Sequence, residues 1–240
     1  MSLQINCAET LAHSEITELL ENVFIVKGTY KAQYGDDIWQ FSRNMVILRE
    51  NDELSIINSI RLNESGLKAL ENLGTVKNVI KLGSAHGIDD AFYVGNYGAK
   101  YWMLAHDEHE GGLRPNEVLS KTNTPSDIIS VYELNTKNKP EALLLLKVHG
   151  GVLVSCDSIK NWDVVDAFFS TESGEKMSQY GMIKSLDIDL NWVKNLEIPA
   201  LDYKNLLKVE FKHFVPGHGT VILNEAYPKI EDAILTAFPH

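Results

Sequence analysis

Gly83-Ser84-Ala85-His86-Gly87-Ile88-Asp89-Asp90-Ala91-Phe92-Tyr93 follows directly on an apolar run, Val79-Ile80-Lys81-Leu82. Small residues open the stretch, an imidazole and two carboxylates follow between His86 and Asp90, and Phe92 and Tyr93 close it. This pattern is expected of a metal-binding loop at the end of a buried strand. Glycine lets the backbone turn tightly, and ligands converge beside a rigid support. The competing reading is a polar turn in which Asp89 caps the next helix and His86 faces water.

Working outward, the 240 residues are read as one domain over 1–240, with a 44% hydrophobic share that suffices for a sizeable core. The net charge of −11 is scattered, which argues against nucleic acid and anionic membrane surfaces as partners. No run approaches the ~18 apolar residues of a membrane span. Residues Met1 to Thr10 lack a basic segment followed by an apolar one, so no secretory signal is expected. Cys7 and Cys156 alone do not make a disulfide framework, and a reducing cytoplasm is the expected compartment.

On the N-terminal side, Ser14 to Glu21 has helical spacing. Val23–Gly28, Met45–Arg49 and Leu54–Asn58 read as strands, and the aromatic segment Tyr30 to Phe41 between the first two reads as irregular, with a turn at Gly35-Asp36-Asp37. Asn63 to Leu73 carries Leu67, Leu70 and Leu73 on one helical face, with Gly74 as the stop, and leads into the strand Val76 to Leu82. This strand, helix, strand, loop order predicts an α/β layered fold with ligands at strand ends.

On the C-terminal side, Tyr97 to Leu104 reads as a short strand, and His106-Asp107-Glu108-His109-Glu110-Gly111-Gly112 as a solvated acidic loop. Asp127 to Leu134, Ala142 to Val148 and Val152 to Asp157 read as strands, the last two joined through His149-Gly150-Gly151. Trp162 to Phe169 is expected to be helical, and Thr171 to Ser185 a loop or an irregular helical excursion. Asp202 to Val209 and Asn224 to Phe238 also read as helices. Between them, Phe211 to Val215 empties into the tight loop Pro216-Gly217-His218-Gly219-Thr220.

An apolar strand, a small-residue loop and a metal-competent side chain thus recur at three places: His86 with Asp89 and Asp90, then Asp157, then His218. Flanking glycines remove the side chains against which His218 would otherwise pack. Cys156 is read as a small thiol pointing into the core rather than as a nucleophile.

Taken in this order, Val23 to Val221 resembles the metallo-β-lactamase superfamily, and Pro216–Thr220 is similar to that family's final metal-histidine loop. Gly150 to Asp157 looks like its strand carrying a bridging aspartate. The resemblance implies a four-layer αββα sandwich of two mixed sheets, with metal at one edge. Laid over the family's His-x-His-x-Asp-His signature, the opening loop puts Ala85 and Gly87 at the first two histidines, Asp89 on the aspartate and Asp90 on the last histidine. His86 falls between the missing ligands, and His149 stands near the place of the middle histidine. The implied metal ligands are therefore His86, Asp89, Asp90, Asp157, His218 and His149, with Asp89 or Asp90 also a general base. The implied cofactor is a divalent ion (Zn²⁺, Fe²⁺ or Mn²⁺), and a carboxylate-rich set short of histidines is expected to favour Mn²⁺ or Fe²⁺ over Zn²⁺. The expected activity is hydrolysis of a small-molecule ester, amide, thioester or phosphate. The alternative is a metal-free binding or scaffold protein on the same fold.

Overall fold

The computed structural model describes residues 9–239, so Cys7 and most of the N-terminal segment read for a secretion signal lie outside the described residues. The first sheet begins with β1 (Thr17–Leu20), β2 (Val23–Tyr34), β3 (Asp37–Glu50) and β4 (Glu53–Ile57), all antiparallel. The helical spacing in 14–21 is thus overridden. The open edge of β2 supplies backbone partners to Thr17, Glu18 and Leu20, and Leu19 and Leu20 pack on the core between the sheets.

Nor is Tyr30–Phe41 irregular. β2 and β3 pair without a break from Val23↔Leu48 to Tyr34↔Asp37, turning on Gly35-Asp36. Aromatic residues favour such extended, half-buried surfaces, and the directly opposed Tyr30 and Phe41 stack with ring centres 5.2 Å apart.

Asn63 caps α1 (Glu64–Leu73), its side chain accepting the Gly66 N–H at 2.9 Å. Then β5 (Thr75–Lys81), α2 (Asp90–Tyr97), β6 (Lys100–Leu104) and β7 (Glu117–Leu119) follow, the strands running parallel to β4 and completing a seven-stranded mixed sheet. The second sheet holds β8 (Ile129–Glu133), β9 (Ala142–Leu146) and β10 (Val152–Val154), with β9 between the other two and antiparallel to both.

A short ribbon pairs β11 (Lys160–Trp162) with β12 (Lys184–Asp187), and α3 (Thr171–Gln179) lies between them. The stretch from Trp162 to Phe169 is therefore not a helix. Asn161 ties β11 to the His218 loop instead, donating its N–H to the His218 carbonyl at 3.1 Å and accepting the Thr220 N–H at 2.8 Å. After α4 (Leu190–Leu196) and α5 (Ala200–Leu206), β13 (His213–Val215) adds parallel to β10, and α6 (Ala226–Ala237) closes the chain.

Alternation along the strands sorts the core into layers. Val23, Ile25, Val46 and Leu48 meet Val131, Leu144, Leu146 and Val154 between the sheets. Phe24, Val26, Met45 and Ile47 face Leu70 of α1 and Tyr93 of α2. On the far side Leu143, Leu153 and Phe214 face Tyr203 of α5 and Ile230 of α6. The result is helix, sheet, sheet, helix, and each fully buried aliphatic chain contributes about 1.5–3 kcal/mol.

Candidate functional site

Three loops leave the C-terminal ends of β5, β10 and β13 and bring His86, Asp157 and His218 together. The His86 Nε2 lies 3.4 Å from Asp157 Oδ2, the His218 Nε2 lies 3.3 Å from Asp157 Oδ1, and the two Nε2 atoms are 3.2 Å apart. Cys156 Sγ sits 3.6 Å from Asp157 Oδ2, and its sulfur, the His86 nitrogen and an Asp157 oxygen lie within 4.8 Å of one another.

The backbone explains why this convergence holds. Gly219 has φ +96°, and a Cβ there would stand 1.8 Å from the Asn161 carbonyl oxygen, so only glycine lets the loop lie against β11. The Asn44 side-chain amide, on β3, donates to the carbonyls of Pro216 at 2.9 Å and Gly219 at 2.8 Å, pinning both sides of His218. The His218 Nδ1–H donates to the Ser42 carbonyl at 2.8 Å, which turns Nε2 toward Asp157.

Charge follows geometry here. Burial opposes ionisation of Asp157, but His86 and His218 hold its carboxyl well below the usual carboxylate range. Burial also pushes the His218 imidazole below its ordinary value, favouring the neutral, ligating form. Ligands at about 2.0–2.1 Å around a tetrahedral ion stand about 3.3 Å from one another. The observed 3.2–3.4 Å separations match that spacing, so the donor set fits a divalent metal.

Other residues singled out from the sequence are placed differently. Asp89 is 2% exposed and is held by Arg43 Nη2 at 2.5 Å and by the Arg61 N–H at 3.0 Å. Asp90 is fully buried, accepts from Ser59 Oγ at 2.5 Å, and has its pKa raised by that burial. Neither belongs to the His86–Cys156–Asp157 group. His149 is exposed in the turn at the opposite end of β10 from Asp157, its ring bonded to the Glu21 carbonyl at 2.8 Å. An antiparallel hairpin separates its turn from its strand ends, so His149 lies outside the cluster.

Nor is the 106–112 loop simply solvated. Asp107 and His109 are only 8% and 9% exposed, Asp107 pairs with buried Lys81 at 2.5 Å, and His109 Nε2 donates to the Gly87 carbonyl at 2.9 Å. This loop clamps the His86 loop from behind.

Residues not expected from sequence complete the site. Glu141 accepts from the N–H groups of Asp157 (3.0 Å) and Ser158 (2.6 Å) and from the Trp192 indole N–H (2.6 Å). Burial and the nearby Asp157 charge raise its pKa to about 7. A carboxylate at the mouth of a continuously apolar strand, Glu141 before Ala142–Leu146, was the available signal. Lys160 pairs with Asp189 at 3.0 Å, its Nζ lying 5.3 Å from the centre of the Trp162 ring. Burial alone would lower its pKa, but the charges of Asp157 and Asp189 raise it. Above the cluster opens a largely apolar pocket of about 460 Å³, walled by Trp39, Phe41, Trp162, Tyr180 and Trp192.

No protein-family model matches the sequence, and no curated protein matches it. Solved structures do match in shape. The metallo-β-lactamase DIM-1 exposed to ceftazidime superimposes with a TM-score of 0.61 at 13% identity, covering 96% of this chain and 100% of that one. A metallo-β-lactamase from Pontibacter korlensis gives 0.56 at 14% identity over 92% and 98% of the two chains. FIM-1 from Pseudomonas aeruginosa, in its mono-zinc form, gives 0.57 at 14% identity over 93% and 96%.

Proposed function

We propose that this chain, which has the metallo-β-lactamase fold, is a metal-dependent hydrolase of a small-molecule ester, amide, thioester or phosphate. The observation that supports this reading is the triangle of His86 Nε2, Asp157 and His218 Nε2, spaced as ligands of one ion at the floor of a pocket. His86, Asp157 and His218 would hold the ion, with Cys156 Sγ beside them. A set dominated by imidazole suits Zn²⁺ or Fe²⁺ better than Mn²⁺. When bound, such an ion acidifies a coordinated water toward a pKa of ~7 and polarises the scissile oxygen.

The protein's own groups prepare that chemistry. Ser42 fixes the His218 tautomer, and Glu141 holds the Asp157 backbone while leaving both carboxylate oxygens toward the imidazoles. The aromatic walls exclude water and orient a flat group over the floor. In the overall reaction, water adds its oxygen to the carbonyl carbon or phosphorus, the bond to the leaving group breaks, and a water proton passes to that group. Asp89 and Asp90 are not assigned the general-base role, because Arg43 and Ser59 occupy them in the interior.

Metal analysis after loading with Zn²⁺ or Fe²⁺ tests the reading, together with a panel of aryl esters, thioesters and phosphodiesters. One equivalent is expected, lost in His86→Ala, Asp157→Ala and His218→Ala. Retention of less than about a tenth of an equivalent by the unmodified protein would sink it.

A further inference from the structure

We propose that the substrate is bipartite: a flat apolar head lies over His86, Asp157 and His218, and an extended, uncharged polar tail lies in a second groove beside α6. The proposal rests on the hydrolase reading for the bond that is cut, but not for the binding itself. The aromatic pocket does not end at its walls. A second groove of about 1030 Å³ shares Lys160, Trp162, Tyr180, Met182 and Asp189 with it, so the two adjoin across these side chains. This groove runs between the β12–α4 segment and α6 and reaches none of the three floor residues.

The two halves differ in chemistry. Around the floor, Trp162 lies 4.8 Å from His218 and 5.5 Å from Phe41, and Trp39 lies 6.3 Å from Tyr180, all centre to centre. Such walls select a planar apolar group. In the groove, Ser185, Asn191 and Thr236 offer hydroxyl and amide groups. Its lysines already have partners: Lys160 with Asp189 at 3.0 Å, Lys184 with Asp187 at 2.7 Å and Lys229 with Glu225 at 3.0 Å. An anionic tail would have to compete with one of these pairs, whereas a neutral tail with donors and acceptors leaves them intact and can also donate to Asp232, which lines the groove. The Lys160–Asp189 pair stands where the halves meet, so a molecule using both passes over it.

Three probes, titrated calorimetrically into protein stripped of metal so that no amide bond is cut, test this: 2-naphthamide as head alone, acetyl-glycyl-glycyl-serinamide as tail alone, and 2-naphthoyl-glycyl-glycyl-serinamide as both. The joined probe is expected to bind at least about tenfold more tightly than either part. Thr236→Trp, which fills the exposed α6 side of the groove, should remove the tail's contribution and leave 2-naphthamide binding unchanged. Trp39→Ala should weaken both naphthyl probes. Failure of the joined probe to bind more tightly than 2-naphthamide, or equal weakening of both by Thr236→Trp, overturns the proposal. Metal uptake is then measured on the same preparation after reloading with Zn²⁺. A joined-probe advantage in protein that takes up no metal sustains the bipartite site and removes only the hydrolase reading. Metal uptake without that advantage does the reverse.

Discussion

The imidazole of His218 donates from Nδ1 to the Ser42 carbonyl at 2.8 Å, so the His218 loop at the end of the second sheet is oriented by β3 of the first. Two positions along the same strand, Asn44 holds the carbonyls on either side of that loop. The site is thus braced across the sandwich.

Asn44→Ala should therefore weaken both fold and site. It strips the donor from two buried carbonyls, at a cost of about 2–3 kcal/mol in urea unfolding. Metal affinity should fall with it, because His218 loses its frame. Unchanged affinity in a folded variant would show that the His218–Ser42 bond suffices alone.

Gly219→Ala should be worse. A Cβ at φ +96° would lie 1.8 Å from the Asn161 carbonyl oxygen, and that oxygen belongs to backbone that cannot swing aside. Destabilisation of at least about 3 kcal/mol is expected from thermal or urea melts.

Arg43→Met should cost about 3–5 kcal/mol, because it leaves the buried Asp89 carboxylate without its guanidinium partner. Arg43→Met with Asp89→Leu should be less destabilised than Arg43→Met alone. A double-mutant cycle with no coupling would contradict the pairing.

Acid sensitivity has a definite sign at Asp189. Burial opposes its ionisation, but Lys160 and the N–H groups of Trp192 and Asn191 lower its pKa. A carboxylate with a depressed folded pKa contributes stability that is present above its unfolded value of about 3.9 and is lost as pH falls through the folded one. Asp189→Asn keeps a cap acceptor without the charge. Its stability deficit should be full at neutral pH and should shrink below about pH 4. A deficit that stays constant from neutral pH to pH 2 would refute this.

His149→Asn should leave metal content unchanged, since His149 is exposed at the far end of β10 and its φ of +53° suits asparagine. Loss of metal in this variant would return His149 to the site.

Much of this was legible in the sequence, and for local reasons. The apolar runs at Val79–Leu82 and Val152–Val154, each followed by small residues, mark strands whose ends carry His86 and Asp157. Asn63, whose side chain accepts the Gly66 N–H, and the apolar face of Leu67, Leu70 and Leu73 mark α1 locally. His86, Asp157 and His218 stood out because a polar side chain at the end of an apolar strand has no packing role.

What only the tertiary structure decided depended on partners distant in the chain. Thr17–Leu20 became strand because the β2 edge was open, and Trp162 joined a ribbon because Asn161 bonds to the His218 loop. Asp89 and Asp90 look as metal-competent as Asp157 in sequence. Arg43, 46 residues away, takes the first, and Ser59, 31 residues away, takes the second, while two imidazoles are left for Asp157. A carboxylate's type and spacing are written locally, but its role is set by whichever cation, donor or imidazole folding brings within about 3 Å, and no local pattern encodes that.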